Sequence, residues 1–277
     1  MDSERVVARL ERVVADHRVT IAVVFPLVGA ALMLASAEGW LPAVLAFNPL
    51  LILGGVLVMR LPIAATLAPL LDRRLAVGLV AVGLYAYAIE LVGLATGLPY
   101  GEFSYGVALG PMLPGGVPLG LPAFFLPLVL NAYLLVALLL GSRWELAWVR
   151  VPATVAVVLA IDLVLDPAAV ALGLWGYAAS GAYYGVPLSN FGGWLVSATV
   201  ATVLVDLTVD RAQLRRRLDR CVFALDDLLS FVLLWGAVAL AYGLWVPVVL
   251  TAGVATVLAR LGRLDLSLRE PADPLVE

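Results

Sequence analysis

Asp162 and Asp166 stand four residues apart in an apolar stretch, 151–173, that holds no other charged side chain. On a helix this spacing puts both carboxyls on one face, with Val155, Leu159, Ala169 and Gly173 along it. Glu90 lies in another apolar stretch with Gly83, Tyr87, Gly93 and Gly97 on its side. An ionised side chain at the centre of a bilayer costs at least about 3 kcal/mol, so such acids are expected to be paired or functional. The small residues beside them allow close helix approach, which turns both sets toward a bundle interior. A carboxyl that burial keeps protonated has a proton to donate. Two of them one turn apart would repel if both were ionised, so one is expected to stay neutral. An acid of that kind, at the end of an apolar channel with aromatic faces and a route for water, can protonate an isolated alkene and let water capture the carbocation.

The elements that would position these acids follow from composition. Of 277 residues, 63% are hydrophobic and 13% charged, and the mean hydropathy is +1.05. A water-soluble chain carries roughly a quarter charged residues. The expected class is therefore all-α, a polytopic helical bundle in the cell membrane, with residues 1–277 forming a single integral domain. Several chemistries are excluded by inventory. No lysine is present, so neither a Schiff base nor a Walker-type phosphate loop can be built. His17 is the sole histidine and Cys221 the sole cysteine, which rules out bis-histidine haem, histidine-clustered di-iron and thiolate clusters. The expectation is no metal and no cofactor. A net charge of -3 gives no reason to expect a nucleic-acid partner.

Apolar runs long enough to cross a bilayer fall near 19–37, 42–59, 75–97, 119–141, 151–173, 191–208, 223–242 and 244–260. All seventeen arginines lie before the first run, after the last, or between the second and third, fourth and fifth, and sixth and seventh. By the positive-inside rule this predicts eight transmembrane helices with both termini cytoplasmic, including a leader at 1–18 and a tail at 261–277. The exclusive use of arginine, with acids at Glu270, Asp273 and Glu277, suggests a GC-rich, haloarchaeal source. Glu90, Asp166 and the loop residue Glu102 then fall in the outer half, with Asp162 near the midplane and Asn48 and Asn131 also at membrane depth. Asp206, Asp210, Asp226 and Asp227 lie beside Arg211–Arg220 and are expected to form salt bridges with them. The two outer loops, 98–118 and 174–190, are rich in Gly, Pro and aromatics, and Gly-Val-Pro-Leu occurs in both, at 116–119 and 185–188, hinting at related hairpins. Glu90 would reach the Asp162–Asp166 face if the third and fifth spans pack through their glycines.

Three motifs resemble those of the carotenoid hydratase family: Pro99-Tyr-Gly-Glu-Phe-Ser-Tyr-Gly106 with Leu109-Gly-Pro111, Asp162-Leu-Val-Leu-Asp-Pro167, and Tyr183-Tyr-Gly-Val-Pro-Leu-Ser-Asn-Phe-Gly-Gly-Trp194. The resemblance covers about 75–208, which reads as the catalytic core. It implies cofactor-independent addition of water to a terminal isoprenoid double bond of an acyclic carotenoid such as bisanhydrobacterioruberin, giving a tertiary alcohol. The partners implied are the lipophilic carotenoid, membrane lipids and other enzymes of carotenoid synthesis. Position and chemistry assign the roles. Asp166 or Glu90 is the proton donor, Asp162 tunes it, and Glu102 is the next candidate. Tyr183, Tyr184 and Asn190 shape the water and cation site, and Tyr100, Tyr105, Asn131, Trp175 and Phe191 complete the substrate-binding set. Two other classes compete. A membrane prenyltransferase would hold magnesium and a diphosphate on the D-x-x-x-D motifs Asp162–Asp166 and Asp206–Asp210, but the topology puts these at opposite membrane faces. A non-catalytic carotenoid-binding protein would use the same polar groups to bind only.

Overall fold

The computed structural model describes residues 2–264; Arg269, Glu270, Asp273 and Glu277, with most of the 261–277 tail, lie outside them. The chain is mostly helical. An amphipathic helix α1 (Asp2–Asp16) packs on α4 (Leu61–Leu67), burying Val14, so the 1–18 leader is docked on the bundle. A π-helical turn at Thr20–Val24 runs into α2 (Phe25–Ala37). Residues 42–48 are turn and loop, and α3 covers only Pro49–Met59, a shorter helix than the apolar run suggests. The Asn48 side chain accepts from the Leu50 and Leu51 N–H groups and so caps α3. Pro62, which has no N–H to give, sits just past Arg60, where α3 and the following helix through Leu70 bend by 41°.

Next come α5 (Arg73–Thr96), α6 (Leu121–Leu139), α7 (Ala147–Ala171) and α8 (Leu188–Thr208). The Asp72 side chain caps α5 at its start, and Gly97 ends it in the left-handed region at φ 74°. An arginine-rich helix α9 (Arg211–Arg220) leads to α10 (Asp226–Ala241) and α11 (Trp245–Arg260), which part at Gly243. Five helical segments are long and apolar enough to cross a membrane, namely Thr20–Ala37 and α5 to α8, and the bent α3–α4 pair makes a sixth. Helices α10 and α11 have 16 residues each. That is roughly 24 Å of helix against a hydrocarbon core of about 30 Å.

Two ends of the bundle are distinguishable by their contacts. At one, Arg18 pairs with Asp226, Arg217 with Glu11, and Arg74, Arg215 and Arg263 reach the carbonyls of Leu207, Gly141 and Cys221. At the other, β1 (Phe103–Tyr105) pairs antiparallel with β2 (Trp175–Tyr177), and the Val246 N–H donates to the Tyr184 hydroxyl. This ribbon is the departure from an all-α chain; two loops rich in glycine and aromatics can zip because both are held beside each other by α5 to α8. The two Gly-Val-Pro-Leu copies each run into a helix start with a buried valine, Val117 and Val186. Contrary to the expected third-to-fifth packing, α5 lies on α6 and α8, with Gly78 against Thr208 and Gly83 against Pro122.

Candidate active site

The ribbon is what assembles the site. Successive residues of a strand point to opposite faces, so the register Phe103↔Tyr177 and Tyr105↔Trp175 puts these four rings on one face, and all four line a single cavity inside the bundle. The Tyr105 hydroxyl donates to Glu90 Oε1 on α5. The Tyr177 hydroxyl donates to Asp166 Oδ2 on α7 at 3.0 Å. Burial, reinforced by the facing Glu90 and Asp166 carboxyls, pushes the Tyr105 and Tyr177 phenols far above the ordinary tyrosine value, so both remain O–H donors.

Asn190 ties the acid pair together. It lies in the first turn of α8, just after Pro187, and its Nδ2 donates to Asp162 Oδ2 at 3.3 Å and also to Asp166 Oδ2. All three side chains are buried, and Asp162 Oδ1 has no hydrogen-bond partner among the described residues. Two carboxyls thus converge on one amide, one helical turn apart, as their spacing implies. Tyr100 closes the same region from the 98–102 loop: its hydroxyl and that of Tyr85 meet Ser197 Oγ at 2.6 and 3.1 Å. Gly193 makes this possible, because a Cβ there would lie 2.4 Å from the Tyr100 ring.

The cavity has a volume of about 690 Å³ and walls that are mostly apolar. Glu90, Asp166 and Asn190 reach it together, as do Tyr100, Trp175 and Asn131. Trp194 and Phe125 stack along it with centroids 5.3 Å apart. Its walls include Phe25, Val28 and Leu32 of α2 and Leu50 and Leu51 of α3, which are exposed, so it opens on the outer surface of the bundle between these helices. Four expected site residues stand elsewhere. Tyr183 donates to the Leu163 carbonyl at 2.9 Å and packs edge-on against Phe191, while Tyr184, at φ 49°, accepts from the Val246 N–H in the first turn of α11; these three support the loop behind the acids without lining the cavity. Glu102 is exposed beside a separate shallow hollow. Conversely, Tyr177, Ser197 and Trp194 were absent from the expected set. Ser197 follows Asn190 by seven residues on one helix face, so the helix period carried its signal, whereas Tyr177 joins the site only through the pairing of β2 with β1.

This chain is 58% identical over 263 residues to the bisanhydrobacterioruberin hydratase of Haloarcula japonica, an alignment that covers 95% of the chain and 89% of that protein. A profile of the family described as "Carotenoid biosynthesis protein" matches residues 47–258. The chain belongs to this family. The relative's haloarchaeal source agrees with the all-arginine composition. No solved structure matches the chain. The family match runs from α3 to α11, wider than the motif-bearing 75–208.

In this carotenoid biosynthesis protein Asp206, Asp226 and Asp227 do form salt bridges, but with partners other than Arg211–Arg220. Asp226 pairs with Arg18 at 2.7 Å, Asp227 with Arg60 at 2.6 Å and Asp206 with Arg150 at 2.5 Å, while Asp210 caps α9. Long-range pairing wins because the helices bring these arginines inside the bundle, where an unpaired acid would be costly. Asp206 lies sixteen residues beyond Asn190 on α8, about 24 Å of helix rise. The two D-x-x-x-D motifs therefore do not converge.

Proposed function

We propose that this protein is a carotenoid hydratase, a multi-pass enzyme of the cell membrane that adds water to terminal isoprenoid double bonds of an acyclic carotenoid, converting bisanhydrobacterioruberin to bacterioruberin. The observation that carries this reading is an apolar cavity, open between α2 and α3, that ends on Asp166 and Asn190 with Glu90 beside them and Asp162 behind, bonded to the same Asn190 amide. The end of a polyene enters laterally from the lipid, and the rest of its chain leaves through the same opening. Asp166 and Asp162 share one amide, so the pair retains a proton in preference to a second charge. Asp166 delivers that proton to the less substituted alkene carbon, leaving a tertiary carbocation that the faces of Tyr100, Trp175 and Trp194 stabilise. Water forms a C–O bond to the cation and its surplus proton returns to Asp166, directly or through Glu90, so one water is added and the acid is regenerated. Asp162 tunes the donor by opposing its ionisation.

The same reading takes all eight apolar segments as crossings with both termini cytoplasmic. The arginine contacts gathered at one end and the ribbon at the other support it. With Cys221 replaced, a cysteine at exposed position 102 is expected to react with an impermeant reagent from outside only, and one at exposed position 216 from inside only. Labelling of position 102 from the cytoplasm would overturn the topology.

The activity is tested by incubating purified protein with an anhydro carotenoid in ¹⁸O-labelled water, anaerobically and with chelator present. The expected product carries the heavy oxygen in a new tertiary hydroxyl, at an undiminished rate. A requirement for O₂, or a release of diphosphate that needs magnesium to be restored, would refute hydration.

A further inference from the structure

The cavity and the hollow beside Glu102 are separated by a wall that is one residue thick in places. Tyr100 and Phe103 line the cavity, whereas Gly101 and Glu102, between them in sequence, line the hollow. Asn190 lines the cavity and its neighbour Ser189 the hollow. Tyr177 lines both, and its hydroxyl donates to Asp166 Oδ2 at 3.0 Å. One residue therefore borders the hollow and holds the acid. The rest of the wall is closed: Ser189 Oγ donates to the Tyr100 carbonyl at 3.2 Å, the Ala178 N–H donates to the Glu102 carbonyl at 2.9 Å, and a Cβ on Gly101 would lie 2.8 Å from Ser189 Oγ. Hydration consumes one water per turnover, and a water inside a protein is held by two to four polar partners. The opening between α2 and α3 offers it none on Phe25, Val28, Leu32, Leu50 and Leu51, and a bound polyene fills that opening. The hollow suits water better. Its volume is about 360 Å³, against roughly 30 Å³ per molecule in the liquid, and both Glu102 and Ser189 are exposed in it.

We propose that water enters the active site from this hollow, past Tyr177, while the carotenoid enters separately between α2 and α3. The need for water rests on the hydratase reading. A swing of the Tyr177 phenol away from Asp166 opens the wall beside the acid, and Asp166 and Asn190 are then the first polar groups that water meets in the cavity. Separate entries let the polyene stay seated while water is delivered to its end. Glu102 acquires a part outside the chemistry, as the charged group that keeps the mouth of the hollow wet.

A reversible plug tests the route. Ala179 is exposed and lines the hollow without touching the acids, and Leu51 is exposed in the opening between α2 and α3. With Cys221 replaced, Ala179→Cys and Leu51→Cys are each modified by methyl or benzyl methanethiosulfonate in lipid nanodiscs, with Arg216→Cys at the far end as control. Internal water is read by X-ray hydroxyl-radical labelling of Tyr100, which lines the cavity and is 5% exposed, against Trp148, which is 75% exposed. Benzyl at 179 is expected to lower Tyr100 oxidation about fivefold, since the radicals form from the water that the plug excludes. It should also lower kcat about tenfold once water entry limits turnover, with KM for the carotenoid unchanged. Methyl at 179 and benzyl at 216 should do neither, and reduction by dithiothreitol should restore both quantities. Benzyl at 51 should do the opposite, raising KM while leaving Tyr100 oxidation as it was. Tyr100 oxidation that benzyl at 179 leaves unchanged, or that benzyl at 51 abolishes, would overturn the route. A wild type that hydrates nothing refutes the hydratase reading, while the labelling, which needs no turnover, still decides where water enters.

Discussion

Asp166→Asn is expected to slow carotenoid hydration by roughly 10²–10⁴-fold, the usual contribution of a positioned general acid, while the protein stays folded and still takes up carotenoid. The substitution is close to isosteric. The Tyr177 hydroxyl, which donates to Asp166 Oδ2 at 3.0 Å, can donate equally to an amide oxygen. What disappears is the proton. Asp162→Asn keeps the donor but removes the neighbour that opposes its ionisation, so a smaller loss of about tenfold is expected. Glu90→Gln leaves the Tyr105 hydroxyl a partner and interrupts only the return of the proton, again with a loss of about tenfold. Hydrated product measured by mass in the three variants, alongside the anhydro carotenoid that accumulates, checks the assignment. If Glu90→Gln shows the large loss and Asp166→Asn the small one, the donor is Glu90. Near wild-type hydration in all three would remove the carboxyl cluster from the chemistry, and Glu102, exposed and away from the cavity, would then have to be examined.

The helices and the acids are legible in the sequence for the same reason: bilayer-length apolar runs announce themselves, and a carboxyl inside one is conspicuous. The boundary between α10 and α11 could be read at Gly243, where the chain needs φ 65°. The break at Arg60 could not, because hydropathy averages over a bend that depends on Pro62 and on where the arginine finds its acid. That acid, Asp227, is 167 positions away in sequence. Charge proximity along the chain pointed to Arg211–Arg220 instead, and only packing decides between near and distant partners. The same limit applies to Tyr177. An aromatic in an outer loop reads as an interfacial belt until the pairing of β1 with β2 is known, and strand register is a non-local property. Asn190 was found because it falls in a motif beside two tyrosines, whereas those tyrosines lie behind the acids and not in the cavity.

Arg150→Met is expected to be the most destabilising single change at the arginine end, by about 3–5 kcal/mol, because it leaves a buried carboxylate without its cation. Arg150 is 2% exposed and gives Asp206 two hydrogen bonds, at 2.5 and 2.8 Å, while its guanidinium lies 5.2 Å from the Trp144 ring centre. Asp206 would keep only the Tyr133 hydroxyl, at 2.6 Å. Removing all three polar groups together, as Arg150→Met with Asp206→Leu and Tyr133→Phe, should recover most of the loss, since an apolar replacement of a buried ion pair is often neutral. Thermal unfolding in detergent measures both. The combined variant also separates two chemistries. If the protein is a hydratase, Asp206 is a structural partner about 24 Å along α8 from Asn190, so hydration should persist at a similar rate. An enzyme that binds magnesium diphosphate through D-x-x-x-D motifs would lose activity with Asp206, whatever its stability. A folded triple variant that no longer hydrates carotenoid would therefore place Asp206 in the chemistry and refute the division between an acid site at the ribbon end and an ion-paired scaffold at the other.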